Sequence, residues 1–300
     1  MMTFDFEEKV LSQETLPQGT VIESDVIVVG TGAGGAVVAR ELAAGGMKVV
    51  MLEEGSYFSA RDYGRRTVVE SIRMLYRKAG FTPTFGNVPV VVVTGRCVGG
   101  TTVINSGTSL RPAASAVDRW RSEFGLRDLT DHLDVYARRV EGFLGIKPVP
   151  VLNRENELVQ EGARKLGWHG EVLTRNEKSC QGAGRCYAGC PNDAKQAMNV
   201  SYVPDALRRG AMLYTEARVT RILSEAGRVR GVMTSRATFR APTVVVAGGA
   251  LFTPQLLRKP GRHLIVHPGV RVVGIFDEEV WHWKVVPQAY HVAELLNDGI

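Results

Sequence analysis

Residues 25–55 read Asp25-Val-Ile-Val-Val-Gly-Thr-Gly-Ala-Gly-Gly-Ala-Val-Val-Ala-Arg-Glu-Leu-Ala-Ala-Gly-Gly-Met-Lys-Val-Val-Met-Leu-Glu-Glu-Gly55. Val26 to Val29 form a β-branched run of the kind a buried parallel strand carries. Gly30, Gly32 and Gly35 then satisfy G-x-G-x-x-G. Gly30 permits a tight turn, Gly32 lets the backbone approach a pyrophosphate, and Gly35 lets the next helix pack closely on the strand. The spacing predicts that helix from about Gly34 to Ala44, with Val37, Val38 and Leu42 on one side and Arg40 and Glu41 turned away. Its first N–H groups, beginning at Gly34, and its dipole face the phosphates. Val49 to Leu52 reads as the second strand, and Glu53 ends it, where a carboxylate takes the hydroxyls of a ribose. A glycine-rich turn that holds nothing would account for the glycines but not for the whole ordered unit. The unit defines a dinucleotide site without choosing between NAD and FAD, since an acid at Glu53 suits either ribose.

The remaining composition sets limits. Three hundred residues make one large domain or two moderate ones. The formal charge of +6 is spread without a Lys/Arg block long enough to argue for nucleic acid, and reads as a basic solvated surface. The first residues are acidic and lack the pattern of a signal peptide. The apolar runs fall far short of a bilayer span, so a cytoplasmic chain without a transmembrane segment is expected. Of four cysteines, three are clustered, which suits metal or redox chemistry better than a secreted disulfide framework.

Residues 1–24 read as a lead-in packed on the outside, with a turn at Pro17-Gln-Gly19. In 56–82, Val68, Val69, Ile72 and Leu75 have helical spacing, and Arg65, Arg66, Arg73, Arg77 and Lys78 read as a solvated basic face. Residues 90–111 read as a strand running into a second glycine-rich turn, Gly99-Gly100-Thr101-Thr102, small enough for a ligand to lie on the backbone. Such a turn soon after a complete nucleotide unit suggests a ligand longer than NAD. Residues 112–170 look helical, with Trp120, Phe124, Leu129, Leu133, Tyr136, Val140, Phe143 and Leu144 as a core stripe. A short helix is expected over Tyr202 to Arg209. Ala217–Leu223 and Val229–Thr234 read as paired strands, and Thr243–Ala250 as a buried strand ending in glycines. A late strand of this kind can touch the nucleotide at its carboxyl end. Residues 264–300 look strand-like.

These pieces, in this order, resemble the glucose–methanol–choline family of flavin oxidoreductases. Gly30 to Gly35 with Glu53 is similar to its ADP-binding unit. Gly95-Arg-Cys-Val-Gly-Gly-Thr-Thr-Val-Ile-Asn105 resembles its first signature, and Ala247-Gly-Gly-Ala-Leu-Phe-Thr-Pro-Gln-Leu-Leu257 its second. His267-Pro268 sits where the family often opens its substrate domain. The resemblance covers about residues 22–292. It implies FAD and not NAD, and oxidation of an alcohol by hydride transfer to the flavin. Gly99, Gly100, Thr102 and Asn105 would then line the flavin side, with Arg96 and Thr101 in the same segment. Glu53 would hold the adenosine ribose, Val219 would meet the adenine, and Ala247 and Gly248 belong to the second signature. Cys97 stands at a variable position and reads as packing. The expected fold is α/β. A discontinuous FAD domain with a mainly parallel sheet comes from 1–111 and 195–262, and an incomplete α+β substrate domain from 112–194 and 263–300.

The family supplies its base as a His, with a His or Asn partner, from a C-terminal segment. None of His132, His169, His263, His267, His282 or His291 lies in that motif. His267 reads as a structural strand residue, His282 as an edge-strand residue, and no catalytic residue is assigned. Family members run longer than this chain, which raises the expectation of a chain that binds FAD and turns over poorly unless a second polypeptide completes the substrate domain. The electron acceptor is left open.

Cys180-Gln-Gly-Ala-Gly-Arg-Cys186-Tyr-Ala-Gly-Cys190-Pro191 is C-x5-C-x3-C-P. Close thiolates in a glycine-rich loop with Pro after the last resemble ferredoxin-type ligands, as in some flavin sugar dehydrogenases of the family. Asn192-Asp-Ala-Lys-Gln196 and Asn199-Val-Ser-Tyr-Val-Pro204 look more like the long-chain-alcohol and sterol branch, which implies an apolar alcohol substrate. There the cysteines read as structural or redox-inert. An iron–sulfur cluster, a disulfide and zinc stand as the other options, zinc needing a fourth ligand.

Overall fold

The structure is a computed structural model that describes residues 7–257, 261, 265, 269–270, 272–281 and 286–294. The chain forms two compact units, Met1–Ile104 with Ala197–Val272, and Asn105–Gln196 with Val273–Ile300.

The first unit is built on a five-stranded sheet in the order Val10–Ser12, Met212–Thr215, Val49–Leu52, Val26–Val29, Thr243–Val246. Every neighbouring pair in it is parallel. Valine and other apolar residues fill the two central strands without polar interruption because both sheet faces are covered. Side chains alternate across the sheet. Ile27, Val29, Val50, Leu52 and Tyr214 share one buried cluster with Val232 and Phe239 of a second sheet. Tyr214 and Phe239 meet edge to face at 5.1 Å. That second sheet runs Thr20–Glu23, Ala237–Arg240, Arg228–Met233, Arg221–Glu225, the first pair parallel and the others antiparallel.

Helix Ala33–Ala44 packs on strands Val26–Val29 and Val49–Leu52 and on helix Tyr202–Arg208. It buries Ala36, Ala39 and Ala43, while the expected face of Val37, Val38 and Leu42 is only half-buried. A helix held this close to a strand has room for methyl groups and not for larger side chains. Arg40 Nε meets Asp205 Oδ2 at 2.8 Å, with both side chains more than four-fifths covered. Burial pushes the Asp205 carboxyl up, but the Arg40 and Arg209 guanidiniums outweigh it and hold the group below the usual carboxylate range.

Several sequence expectations are corrected. The lead-in supplies strand Val10–Ser12 to the parallel sheet and Thr20–Glu23 to the second sheet, and Gln13 is buried. Residues 90–93 form no strand of their own; an isolated bridge joins Pro83 and Val91, and Thr84 N donates to Val90 O. The paired strands begin at Arg221 rather than Ala217, and Ala226 and Gly227 turn between them with positive φ. Among the described residues of 264–300, the one strand is Tyr290–Val292.

The second unit holds helices Ala114–Glu123, Arg127–Leu144 and Arg154–Leu166. Two small antiparallel sheets pair Gly170–Val172 with Tyr290–Val292, and Ile146–Pro148 with Thr174–Asn176. The expected core stripe is not core. Leu144 is buried, but Phe124, Leu129 and Tyr136 are exposed. Helical spacing shows which side of a helix is apolar; it does not supply a surface to cover it.

Asp205 gives a test of this packing. Its folded pKa lies below the ordinary value of 3.8, so its contribution is complete above that pH and is lost as pH falls through the folded value. Asp205→Asn is expected to cost about 1–3 kcal/mol at neutral pH, and urea unfolding at pH 7 and below pH 4 should show the gap to the parent chain closing in acid.

Candidate functional site

The register of the parallel sheet sets the site. Val29 pairs with Leu52 on one side and with Val246 on the other. The residues that follow, Gly30, Glu53 and Ala247, therefore leave the carboxyl edge side by side. Gly30 N donates to Leu52 O and Ala247 N to Val29 O, both at 2.8 Å. This is the edge where ligands of open parallel sheets bind.

The crossing of strand, turn and helix has no room for side chains at two points. A Cβ on Gly30 would stand 2.4 Å from Ala247 O, and one on Gly35 would stand 2.0 Å from Gly30 O. Gly32 and Gly34 differ: a Cβ there meets nothing within 4 Å. Their backbone at the helix start is open to a ligand, with unpaired N–H groups and the positive end of the helix dipole.

Glu53 is 6% exposed and ties the segments together. Its Oε2 accepts from Thr31 N (3.1 Å) and Thr31 Oγ1 (2.7 Å), and its Oε1 from Gly55 N (3.1 Å). Burial pushes its carboxyl up, against the pull of these donors. Thr31 Oγ1 in turn accepts from Gly99 N at 3.0 Å. Thr102 Oγ1 donates to Gly99 O (2.6 Å) and accepts from Met198 N (3.0 Å). The second glycine-rich segment is thus fastened to the first through one threonine hydroxyl.

A cleft of about 600 Å³ opens here. Gly30, Gly32, Gly34, Glu53, Gly100, Thr101, Thr102, Val219, Ala247 and Gly248 all line it. Gly35 and Gly99 lie beneath this lining as buried supports. Arg96 is exposed and does not line the cleft; its charge acts on Arg77. Asn105 belongs to the second unit, where its O and Oδ1 accept from Lys195 Nζ.

Sequence reading missed Thr31, whose hydroxyl carries no motif signal, and misread Arg77. Rather than facing solvent, Arg77 has a side chain 12% exposed that pairs with Glu54 and lies 4.0 Å over the Phe252 ring. Burial, with the Arg96 and Arg218 guanidiniums, holds it below the usual arginine range. Cys97 is fully buried beside Tyr63, Leu75 and Val103, in a packing role. His132 and His169 are exposed, and His291 Nε2 is 3.1 Å from Glu171 Oε1; none of the three lines the cleft. His263, His267 and His282 lie outside the described residues. Among the described residues, no group of three or more His, Cys, Asp or Glu side chains is arranged to hold a metal ion. No helix among them is long and apolar enough to cross a membrane.

A parallel βαβ unit with a glycine crossing at its carboxyl edge, and an acid ending the second strand, defines a dinucleotide-binding fold. The chain belongs to the GMC oxidoreductase family, whose profile matches residues 69–266. An uncharacterised GMC-type oxidoreductase of Mycobacterium tuberculosis (strain H37Rv) is 41% identical over 94% of this chain and 47% of its own length. A long-chain-alcohol oxidase of Arabidopsis thaliana is 28% identical over 86% of this chain and 38% of its own. The chain therefore spans less than half the length of these relatives. The solved structure of an Aspergillus oryzae formate oxidase shares the fold, with a TM-score of 0.57 and 15% identity over 80% of this chain and 48% of that one. The family is one of oxidoreductases and implies FAD. The residues present fit that group: open backbone at Gly32 and Gly34 suits a diphosphate, and an acid lines the cleft for a ribose.

The two kinds of glycine separate by stability. Gly35→Ala is expected to destabilise the fold by about 1–3 kcal/mol, the cost of overpacking. Gly32→Ala should stay within about 0.5 kcal/mol of the parent in urea unfolding, as for an open surface site.

Proposed function

We propose that this chain is the FAD-holding portion of an oxidoreductase that oxidises the CH–OH group of an apolar alcohol, long-chain or sterol-like. The observation that carries the reading is the cleft at the sheet edge, where Gly30–Gly34, Glu53, Gly100–Thr102, Val219 and Ala247–Gly248 converge from five separate segments. In this reading the first unit is the FAD domain and the second a portion of the substrate domain. FAD, when bound, supplies a two-electron acceptor that takes hydride at its N5. The amides at the start of helix Ala33–Ala44 hold the diphosphate. Glu53 accepts from the ribose hydroxyls with the oxygen capacity left by Thr31 and Gly55. Val219 meets the adenine, and the Gly100–Thr102 turn supports the flavin. Apolar residues of the lining, among them Leu251 and Phe252, exclude water from it. The apolar substrate rests on the resemblance of Cys186–Pro204 to the long-chain-alcohol branch and on the similarity to the Arabidopsis oxidase.

The purified chain should carry a yellow flavin spectrum; a colourless protein that binds NAD would assign the cleft to the other dinucleotide. Gly32→Val, with its side chain directed into open space, should cut flavin content about tenfold while leaving the unfolding midpoint of the flavin-free protein unchanged. Unchanged flavin content in that variant would remove the diphosphate from this turn. Dye-linked oxidation compared across long-chain alcohols, sterols and sugars tests the substrate class, and a preference for sugars would reject it.

A further inference from the structure

Three cysteines within eleven residues, Cys180, Cys186 and Cys190, stand apart from the cleft's chemistry. All have free sulfurs; Cys180 is exposed and the other two are half-buried. They line one small cavity of about 20 Å³ in the second unit together with Arg175, Glu177 and Lys195. A volume of this size admits one water-sized molecule.

Arg185 also lines the cavity and is half-buried, while the other three charged members of the wall are buried to an unusual degree. Arg175 is 1% exposed, Glu177 4% and Lys195 4%. An isolated bridge between Glu177 and Lys195 brings their backbones together beside strand Thr174–Asn176. Three cations, two of them buried, against one carboxylate leave a positive excess in a place where charge is costly unless met. Lys195 Nζ donates to Asn105 O at 2.7 Å and to Cys186 O at 2.6 Å. Arg175 Nη2 donates to Cys186 Sγ at 3.2 Å. Arg175 Nε and Glu177 Oε2, 3.5 Å apart, have no hydrogen-bond partner. The Cys186 sulfur is therefore presented to a buried guanidinium on one side and to a small cavity with two more thiols on the other. A partly exposed cysteine in an electropositive setting is the environment of a reactive thiol rather than an inert one.

We propose that Cys186 is a peroxide-reactive thiol, oriented by Arg175, and that a second thiol of the same cavity, Cys180 or Cys190, resolves it as a disulfide. In the first step the Cys186 sulfur attacks one oxygen of hydrogen peroxide. The S–O bond forms, the O–O bond breaks, and water leaves with the thiol proton, so sulfur is oxidised to sulfenic acid and peroxide is reduced. In the second step the neighbouring sulfur attacks Cys186. The S–S bond forms, the S–O bond breaks, and the hydroxyl leaves as water with the second thiol's proton. Two thiols and one peroxide give one disulfide and two waters. Arg175 acts here as a positioning residue, fixing the sulfur through its N–H.

The test uses the whole 300-residue chain as purified, freed of reductant and treated with one equivalent of hydrogen peroxide. Denaturing alkylation and peptide mass analysis then follow. The expected result is a chain lighter by two hydrogens, with Cys186 and one partner protected from alkylation and Cys97 alkylated. Its rate should exceed that of free cysteine at the same pH by about tenfold or more. Cys186→Ser should remove the fast reaction. Of Cys180→Ser and Cys190→Ser, the one lacking the resolving thiol should accumulate a dimedone adduct at Cys186. Arg175→Met should slow the peroxide reaction about tenfold and Arg175→Lys, which keeps a cation near the sulfur, should recover part of that rate, while flavin content stays unchanged in both. Oxidation at the free-cysteine rate, or oxidation undiminished in Cys186→Ser, would overturn the proposal. So would stoichiometric iron or zinc bound to these cysteines in the purified chain.

Discussion

The first unit depends on one steric constraint, the contact of backbone with backbone where helix Ala33–Ala44 crosses the end of strand Val26–Val29. Gly35 lies against the Gly30 carbonyl, and Gly30 lies against the carbonyl of Ala247. Neither contact admits a Cβ, so the helix axis is set closer to the sheet than side chains would permit. The alanines at 36, 39 and 43 follow from that spacing, because only methyl groups fit in the gap. The same spacing leaves the first turn of the helix facing the sheet edge, where among the described residues no side chain caps it. A binding edge is thus a consequence of the packing, and the open glycines at 32 and 34 keep it clear.

A close crossing would be of little use if the neighbouring segments stood elsewhere. In-phase parallel pairing brings Gly30, Glu53 and Ala247 to one edge, although they lie 23 to 217 positions apart in the chain. Glu53 then closes the arrangement. A buried carboxylate is unfavourable alone, and here its oxygens are met by three donors, two from Thr31 and one from Gly55. Because the Thr31 hydroxyl donates to Glu53, its lone pair is directed to Gly99 N. The carboxylate's position and that of the second glycine-rich turn are coupled through that one hydroxyl.

The parts legible in the sequence are those whose cause is local. A β-branched run, a glycine spacing and an acid at a strand end specify the βαβ unit without reference to the rest of the chain. The GMC family followed from three such segments in order. What was not legible depends on partners distant in sequence. Val10–Ser12 and Thr20–Glu23 are too short to announce themselves, and become strands because Met212–Thr215 and Ala237–Arg240 offer parallel edges to pair with. Arg77 reads as one more cation on a basic stretch until Glu54 and the Phe252 ring are placed beside it. The apolar stripe of 112–144 gave the helices but not their burial, since periodicity carries no information about what lies opposite.

The cysteine segment shows the same limit in a sharper form. Its spacing invites a metal reading, and its glycines invite an inert-loop reading; neither mentions Arg175 or Lys195. Burial of two cations and a carboxylate is poor evidence of stabilisation, because apolar side chains of equal volume commonly serve a core as well or better. Such a cluster is explained by what it does to a neighbouring group. In the first unit, both oxygens of buried Glu53 accept hydrogen bonds, which join Thr31 and Gly55 at the sheet edge. In the second, Arg175 Nε and Glu177 Oε2 are left without hydrogen bonds while Arg175 Nη2 is directed at a thiol sulfur. The contrast is between a carboxylate whose donors hold two backbone segments together and a buried ion pair whose guanidinium also reaches a thiol sulfur.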